Sequence, residues 1–341
     1  MSSAAPSRSA TPPPIPSSPR EAPTLVLSGP VSVCIDRPLL ALDRPFTYDL
    51  PEELGAGVGS VVQVPFHGRA TRAWVLGPTE DVPERILGVR KLVSAVRSFD
   101  ERSLALYRAM SERYVAPLAT VIGRAVPPRV ASEELEHRTP RPWASDGPSP
   151  GPSPLAGYRE GPRLLDALRA GEGAFVVRPA PADEAGVAVA CVGATLAAGR
   201  TAIVIVPDAD PVPATAAAIL AAFGDDVVLF LGGDRRGRYR TWLEIAAGRY
   251  RVVVGTRPAV FAPLVDLGLL YVDREGHPQH RDERSPSYHV RDVARMRAEI
   301  EGAVSVLGAF CPSLEATARE HVLVEPAGRP WAPVEVVRPC P

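Results

Sequence analysis

The sequence predicts an α/β protein in which a small β-rich N-terminal unit precedes a RecA-like or Rossmann-like layer of parallel strands and helices. Three observations support this fold class. Short apolar runs separated by Pro, Gly and Asp turns fill residues 28–132 and are typical of strands. Apolar runs alternate with helical patterns over residues 161–330, as in a parallel sheet covered on both faces. A Pro/Gly/Ser-rich linker over residues 133–160 separates the two units.

The first unit is expected to contain five strands followed by two helices. Asp100 is a plausible N-cap for the first helix, and Pro117 fits the first helical position of the second. A β-rich barrel or sheet closed by helices follows from this order. The expected strands are 31–35, 46–50, 60–66, 72–77 and 86–92, and the expected helices are 101–114 and 117–125.

The second unit alternates apolar strands with helical stretches. The expected strands are 174–178, 201–207, 227–232, 251–255, 267–273 and 304–308, and the expected helices are 184–198, 214–223, 239–247 and 290–301. No internal repeat is visible.

Composition limits the classes of function. A net charge of −1 lacks the domain-wide basic signature of many nucleic-acid-binding proteins, so any such site must be a local patch. The four cysteines form no CxxC pair, which argues against a zinc ribbon and favours reduced thiols. Residues 1–27 are Ser/Pro/Ala-rich and expected to be a disordered tail, and 331–341 form a C-terminal tail. Without a signal-peptide core or an apolar run of spanning length, we expect a cytoplasmic protein with no membrane partner.

The chain contains one lysine, Lys91, and the second unit contains none. A phosphate-binding P-loop of the form GxxxxGK[ST] uses its lysine to reach the β- and γ-phosphates of a nucleotide. The missing lysine therefore argues against a nucleotide-hydrolysing motor.

Two long strings resemble a known family. RPFTYDLPEELGAGVGSVVQVPFHGRATRAWVLG, residues 44–77, resembles the N-terminal domain of the PriA replication-restart proteins, and RVVVGTRPAVFAPLVDLGLLYVDREGHPQHRDERSPSYHVRDVARMRAEIEGAVSVLGAFCPS, residues 251–313, resembles the first lobe of their superfamily 2 DNA helicase motor. The matches span about 30 to 325 in the right order. The resemblance implies a domain at 28–132 that captures the 3′ end of a nascent DNA strand, and a helicase lobe at 161–330.

Three motor motifs depart from the family pattern. Where relatives carry a Gly-rich P-loop, the chain reads VVRPAPADEAGV over residues 176–187, whose prolines remove backbone donors and whose carboxylates repel phosphate. The DEEH box reads Asp273-Arg274-Glu275, and an arginine cannot act as a base near neutral pH. The third motif, normally Ser-Ala-Thr, is Ala-Phe-Cys at 309–311. We therefore expect no cofactor, with the ATP and Mg²⁺ site of the family degenerate.

The chain ends soon after the first lobe, so we expect the second lobe and its zinc-binding cysteines to be missing. The pattern resembles the actinobacterial branch of the family, with degenerate helicase motifs. Whether the sequence is a fragment, a truncated reading frame or a reduced form stays open.

The resemblance places the triplet Phe46-Thr47-Tyr48 where the family holds the terminal nucleotide with an aromatic–acid–aromatic triplet. A flat ring can stack on any base, which suits recognition of an end. The alternative is that alternating aromatics on a strand belong to the core. Thr47 replaces the usual Asp, which puts the hydrogen bonds to the terminal nucleotide in doubt.

A Gly turn and nearby cations complete the expected DNA site. The backbone N–H groups of His67 and Gly68 could approach a nucleotide closely, although an ordinary hairpin turn is the alternative. The family's pocket lysine aligns with Gly88, a second departure. The cations expected to contact phosphates, or else to form a solvated mixed surface, are Arg69, Arg72, Arg90 and Lys91.

In the lobe, Arg257 of Gly255-Thr256-Arg257 resembles a helicase residue that touches the DNA backbone, with a plain strand end as the alternative. His277, His280 and His289 match no strong metal-ligand spacing, and surface histidines are the expected explanation.

The resemblance implies a DNA-binding replication-restart protein that recognises stalled forks or 3′ ends, with no active helicase motor and with Asp273, Arg274 and Glu275 as a relic. Expected partners are DNA forks, 3′ ends and single strands, with single-stranded-DNA-binding protein and the replicative-helicase loading machinery as further candidates, at the nucleoid. An ATP-dependent 3′-to-5′ DNA helicase is the alternative.

Overall fold

The computed structural model describes residues 25–136, 138, 153–318 and 321–328. It confirms the predicted fold class, a β-rich N-terminal domain followed by a second α/β domain with a parallel sheet. Most of the expected N-terminal tail, the central part of the linker and the C-terminal tail 331–341 lie outside the described residues.

The N-terminal domain contains six strands. Their sheet order is β5-β2-β1-β4-β3-β6, and the neighbours β1–β2, β1–β4 and β3–β4 are antiparallel. Valines at alternating positions of β1 and β3 are fully buried in the core of the domain: Val31, Val33, Val62 and Val64. The strands are β1 (Gly29–Ile35), β2 (Phe46–Leu50), β3 (Val61–Phe66), β4 (Arg69–Pro78), β5 (Leu87–Gly88) and β6 (Lys91–Leu92).

A short segment, 87–92, closes this sheet into a barrel. Its first half, β5, pairs with β2, and its second half, β6, pairs with β3 at the opposite end of the sheet. Between the two halves, the Val89 amide donates to Asp49 and the Arg90 amide donates to Gln63, each at 2.8 Å. One segment therefore satisfies both sheet edges, which would otherwise expose unpaired backbone groups.

Two helices follow the barrel, α1 (Glu101–Arg113) and α2 (Leu118–Ala125). Asp100 caps α1 by accepting a hydrogen bond from the Ser103 amide at 2.8 Å. Pro117 is itself the N-cap residue of α2, with an extended ψ of 135°, so the expectation that it occupies the first helical position was wrong by one residue. The backbone amide of Leu118, the first residue of α2, donates a hydrogen bond to the Asp43 carboxylate at 2.8 Å.

The second domain is an eight-stranded sheet with helices. Its strand order is β10-β11-β9-β12-β13-β8-β14-β7, parallel from β10 to β14, with β7 antiparallel to β14. Its elements are β7 (Tyr158–Arg159), α3 (Gly161–Ala170), β8 (Gly173–Val177), α4 (Glu184–Ala197), β9 (Thr201–Ile205), α5 (Ala214–Phe223), β10 (Val227–Phe230), α6 (Arg235–Ala246), β11 (Val252–Gly255), β12 (Leu267–Val272), α7 (Val290–Glu301), β13 (Val304–Gly308), α8 (Leu314–Thr317) and β14 (Val322–Pro326).

Residues at both ends of the expected linker are packed rather than free. Glu133 is completely buried, and its carboxylate receives the guanidinium groups of Arg236 and Arg240 from α6. Leu155 and Tyr158 are buried against the second sheet. Residues 133–136 therefore lie against α6, and residues 153–160 belong to the second domain.

The two domains share one apolar core. The Tyr107 ring on α1 lies 6.2 Å from the Phe261 ring of the second domain, which in turn lies 5.8 Å from Tyr288. A smaller apolar cluster joins Trp242 of α6 to Val126. In the part of the chain that the structure describes, no helix combines the length and apolar character needed to cross a membrane.

Candidate nucleic-acid interface

The turn between β3 and β4 is open to a ligand. His67 and Gly68 have φ angles of 47° and 75°, and Phe66 pairs with Arg69 across them, so the connection is a two-residue hairpin turn with both residues left-handed. A hairpin turn was the alternative that the sequence offered at this position, and the structure contains one. A Cβ added at Gly68 would meet no atom within 4 Å, which leaves space for a nucleotide to approach the backbone.

An aromatic cluster lies beside this turn. Phe46 packs edge-on against Phe66, with ring centroids 5.3 Å apart, and Phe66 packs against His67 at 4.4 Å. The Arg44 guanidinium lies 5.1 Å from the centroid of the Phe46 ring. Both phenylalanines are half-buried. Sequence reasoning missed Phe66 and Arg44; the signal for Phe66 was its place directly before the turn.

Tyr48 lies in the barrel interior. Its side chain is 5% exposed, and its hydroxyl donates to the Pro65 carbonyl oxygen at 2.8 Å. Burial raises the pKa of this hydroxyl above its usual value. The ring has no open face for a base, so the alternative that strand aromatics belong to the core describes Tyr48. The Thr47 hydroxyl donates to the Asp81 carbonyl oxygen at 2.9 Å.

The four predicted cations of the barrel are exposed. Gln63 lies directly opposite Arg72 on one side and Lys91 on the other, which aligns those two cations across three strands. Arg72 forms an ion pair with Asp36 at 3.1 Å. Gly88 is exposed, and a Cβ there would meet nothing within 4 Å. Arg69 and Arg90 are likewise exposed near this row.

In the second domain, the loop after β8 is held by the side chain of Tyr158 on β7. The Ala180 amide donates to the Tyr158 hydroxyl at 2.8 Å, and that hydroxyl donates to the Asp183 carboxylate at 2.9 Å. Burial raises the pKa of Tyr158 to about 12, so its proton stays in place near neutral pH. Pro179 and Pro181 contribute no N–H group. A donor that a phosphate cradle would need is thus satisfied internally.

Arg274, directly after β12, pairs with Glu184 at the start of α4. Its Nε and Nη2 atoms donate to the two carboxylate oxygens of Glu184, each at 2.9 Å. Arg274 adopts a left-handed φ of 48°, which turns it away from the strand direction. In a P-loop motor the helix side supplies a cation and the strand side an acid. Here the helix start carries an acid, Glu184, and the strand end carries the cation Arg274 beside the retained acid Asp273.

Asp273 and Glu275 flank Arg274 and are both buried. Burial, and then the Glu184 charge, raise the pKa of Asp273 to about 6. Glu275 accepts hydrogen bonds from the Ser313 amide at 2.7 Å and from Arg291 at 2.9 Å. Glu275 therefore joins the segment after β12 to the segment after β13.

Arg257 is held by backbone oxygens. Its Nη1 atom donates to the carbonyl oxygens of Gln279 and Arg281, each at 2.6 Å. It thereby fixes the turn after β12, which is a structural role that the sequence did not suggest.

The three histidines were expected at the surface, but His280 is completely buried, so that expectation was wrong for it. Its Nε2 atom donates to the Asp273 carbonyl oxygen at 2.7 Å, and burial lowers its pKa to about 4. His289 caps α7, and His277 is partly exposed. Among residues 25–136, 138, 153–318 and 321–328, no cluster of three or more His, Cys, Asp or Glu side chains is arranged to hold a metal ion.

Comparison with known proteins identifies the type of domain to which the barrel belongs. Residues 32–127 match the PriA 3′ DNA-binding domain, which makes the chain a DNA-binding protein of the class that contains this domain. Over 311 residues it is 34% identical to the probable replication restart protein PriA of Mycobacterium tuberculosis, covering 88% of this chain and 46% of that protein. The chain is therefore similar to the PriA replication restart proteins over most of its own length.

Other relatives agree. The probable replication restart protein PriA of Mycobacterium leprae is 32% identical over 298 residues, covering 83% of this chain and 44% of that protein. The replication restart protein PriA of Bacillus subtilis is 38% identical over 125 residues, which cover 36% of this chain and 16% of that protein. The chain spans about half the length of the mycobacterial relatives that it matches.

Proposed function

We propose that the chain recognises 3′ DNA ends at stalled replication forks and supports assembly of the primosome, without an ATP-driven motor of its own. Single-stranded-DNA-binding protein and the machinery that loads the replicative helicase are its proposed protein partners, at the nucleoid. The proposal combines two parts, a DNA-end site on the barrel and a lobe that acts as a scaffold.

The end site is proposed at the aromatic cluster beside the His67-Gly68 turn. Phe46 and Phe66 offer half-buried rings for a terminal base, and the open turn lets its backbone N–H groups approach a sugar or phosphate. The row formed by Arg72 and Lys91 offers positive charge to the strand behind the end. This arrangement reads the presence of an end rather than a base sequence.

The Arg274–Glu184 pair carries the proposal that the motor is inactive. Glu184 puts a carboxylate beside a loop where a phosphate would need a cation, and Arg274 puts a guanidinium where a base that activates water would be needed. The Ala180 amide already donates to the Tyr158 hydroxyl, so this donor is not available to a phosphate.

An ATP-dependent 3′-to-5′ helicase is the second candidate, because Asp273 is retained after β12. DNA-stimulated ATP hydrolysis by the purified chain, measured with fork DNA, separates the two. We expect no turnover above that of the Asp273→Ala variant; turnover that this substitution abolishes would reject our proposal.

The end site is tested with partial duplexes that carry either a free 3′ hydroxyl or a 3′ phosphate. We expect weaker binding to the blocked end at matched salt. Equal affinity for both ends would remove the end-recognition proposal.

A further inference from the structure

The loop between β1 and β2 presents a run of apolar side chains to solvent. Residues 38–41, Pro-Leu-Leu-Ala, are all exposed, and Leu39 and Leu40 are 57% and 70% exposed. Soluble proteins avoid runs of consecutive exposed apolar residues unless the run has a function. This loop is therefore a candidate contact surface.

The turn between α1 and α2 adds a further apolar side chain to this surface. It is tied to the loop because the Leu118 amide donates to the Asp43 carboxylate at 2.8 Å. Val115 in this turn is 84% exposed and has a left-handed φ of 47°, which is strained for a β-branched residue. Backbone strain of this kind is concentrated at binding and catalytic sites. We call residues 38–41 and Val115 the apolar platform.

The apolar platform lies beside the proposed end site. The loop runs directly into β2, and its Arg44 guanidinium lies 5.1 Å from the centroid of the Phe46 ring. Phe46 in turn packs against Phe66 at the β3–β4 turn, so the loop and the turn share one end of the barrel. All of these residues fall within the match to the 3′ DNA-binding domain, residues 32–127. A ligand held at Phe46 would adjoin the platform.

The charges around the platform favour an anionic partner. Arg37 and Arg44 are exposed on either side of residues 38–41. The two carboxylates of the same loop are engaged, Asp36 by an arginine at 3.1 Å and Asp43 by a backbone amide at 2.8 Å. Apolar side chains framed by cations match a DNA duplex end, which has an apolar base-pair face framed by phosphates. In a symmetric contact, a second copy of the chain would set the same two arginines against each other.

We propose that the apolar platform stacks on the last base pair of a DNA duplex whose 3′-terminal nucleotide is held at Phe46. The terminal nucleotide reaches the aromatic cluster only after it leaves its own pair, which uncovers the face of the base pair behind it. Apolar side chains placed against an unstacked base recover part of the lost stacking. The inference rests on the proposed end site and specifies its substrate, a 3′ end within a duplex rather than the end of a free single strand.

The test measures binding of the full chain to three fluorescent DNAs: a duplex with a free 3′ end, a single strand with a free 3′ end, and a duplex closed by hairpin loops at both ends. The parent protein should bind the open duplex most tightly. Leu40→Ser should weaken binding to the open duplex about 3-fold to 10-fold and leave the other two affinities unchanged. Leu314→Ser, which is 83% exposed on α8, is the matched control and should change none of them.

Salt dependence separates stacking from phosphate contact. The loss in Leu40→Ser should not alter the slope of log affinity against log salt, because no charge is removed. Arg37→Ala should reduce that slope by about one. A 2-aminopurine base placed in the pair behind the 3′-terminal nucleotide should report a change in stacking when the parent binds, and a smaller change with Leu40→Ser.

The proposal is overturned if Leu40→Ser and Leu39→Ser both bind the open duplex as the parent does, or if they weaken binding to all three DNAs equally. If Leu40→Ser does not fold, as judged by circular dichroism, Leu39→Ser decides. Discrimination between free and blocked 3′ ends that survives in variants with parental duplex affinity would keep the end site and reject the platform. Loss of open-duplex binding in these variants, with no discrimination between free and blocked ends in the parent, would reject the end site and keep the platform.

Discussion

The guanidinium of Arg274 meets the carboxylate of Glu184 through two parallel hydrogen bonds of 2.9 Å, joining the end of β12 to the first turn of α4. The carboxylate is largely buried, with 14% of its side chain exposed, whereas the Arg274 side chain is 53% exposed. The pair holds the segment after β12 against the start of α4. Its strength can be measured without any ligand.

A double-mutant cycle with Arg274→Ala and Glu184→Ala should give a coupling free energy of about 0.5–1 kcal/mol, because the geometry is bidentate but the cation is half exposed to solvent. The measurement is urea unfolding at pH 7. The same cycle on Arg169 and Asp166, an exposed pair on α3, should give a smaller coupling. A coupling near zero at Arg274 would mean that the pair does not hold the two segments together.

Asp273 should make stability depend on pH. Its folded pKa of about 6 lies above the usual value, so the unfolded chain releases this proton at lower pH than the folded chain does. Stability from the protonated carboxyl is therefore complete below about pH 4 and lost as pH rises through 6.

Asp273→Asn should remove this loss. Relative to the parent protein, the free energy of unfolding of the variant should rise by about 2–3 kcal/mol between pH 4 and pH 7.5, following about 1.4 kcal/mol per pKa unit. Urea titrations at the two pH values give the difference directly. A variant that loses stability relative to the parent as pH rises would contradict the burial argument.

Substitutions of Phe46 and Tyr48 should have different effects, the first on DNA binding and the second on stability. Phe46→Ala should weaken binding to a free 3′ end by about 1–3 kcal/mol if its ring stacks on the terminal base. Tyr48→Phe leaves the Pro65 carbonyl without its partner and should cost about 1 kcal/mol of stability, with DNA affinity unchanged. Anisotropy titrations and urea unfolding of both variants supply the comparison. The opposite result, with Tyr48 controlling affinity, would place the stacking site inside the barrel.

Glu133 should make the contact with α6 sensitive to acid. Hydrogen bonds from Arg240 and Arg236 lower the pKa of its carboxyl to about 2. A lowered folded pKa adds stability above the usual carboxyl range, and this stability is lost as pH falls from about 4.5 towards 2.

Glu133→Gln should therefore destabilise the protein at pH 7 and have less effect near pH 2.5, measured by thermal unfolding. Glu136→Gln is the control, because the Glu136 side chain is 59% exposed. Equal effects of the two substitutions at pH 7 would show that the buried contact adds nothing.

The sequence predicted the elements with strong periodicity. Helices α5 and α7 begin and end where the apolar pattern places them. Helix α6 begins at Arg235, four residues before the expected start, because its first turn is polar and carries no apolar period; the Asp234 side chain caps it by accepting from the Gly237 amide. Helix α3 and strand β14 were missed altogether, since a helix that starts with Gly-Pro and a strand that ends in Glu-Pro give weak signals.

The candidate sites were predictable in position but less so in geometry. Alternation along β2 places Phe46 and Tyr48 on one face, yet it cannot show that one ring lies at the barrel end and the other in its interior. The substitution of Arg274 was visible in sequence, whereas its partner Glu184 lies 90 residues away and depends on the sheet order.

The shared core around Tyr107 and Phe261 has a consequence for the integrity of the chain. Because buried rings and the Glu133 contact join the domains directly, cleavage of the backbone between residues 138 and 153 would not separate them. The two halves, expressed as separate polypeptides, should reassemble into one particle that migrates as the intact protein.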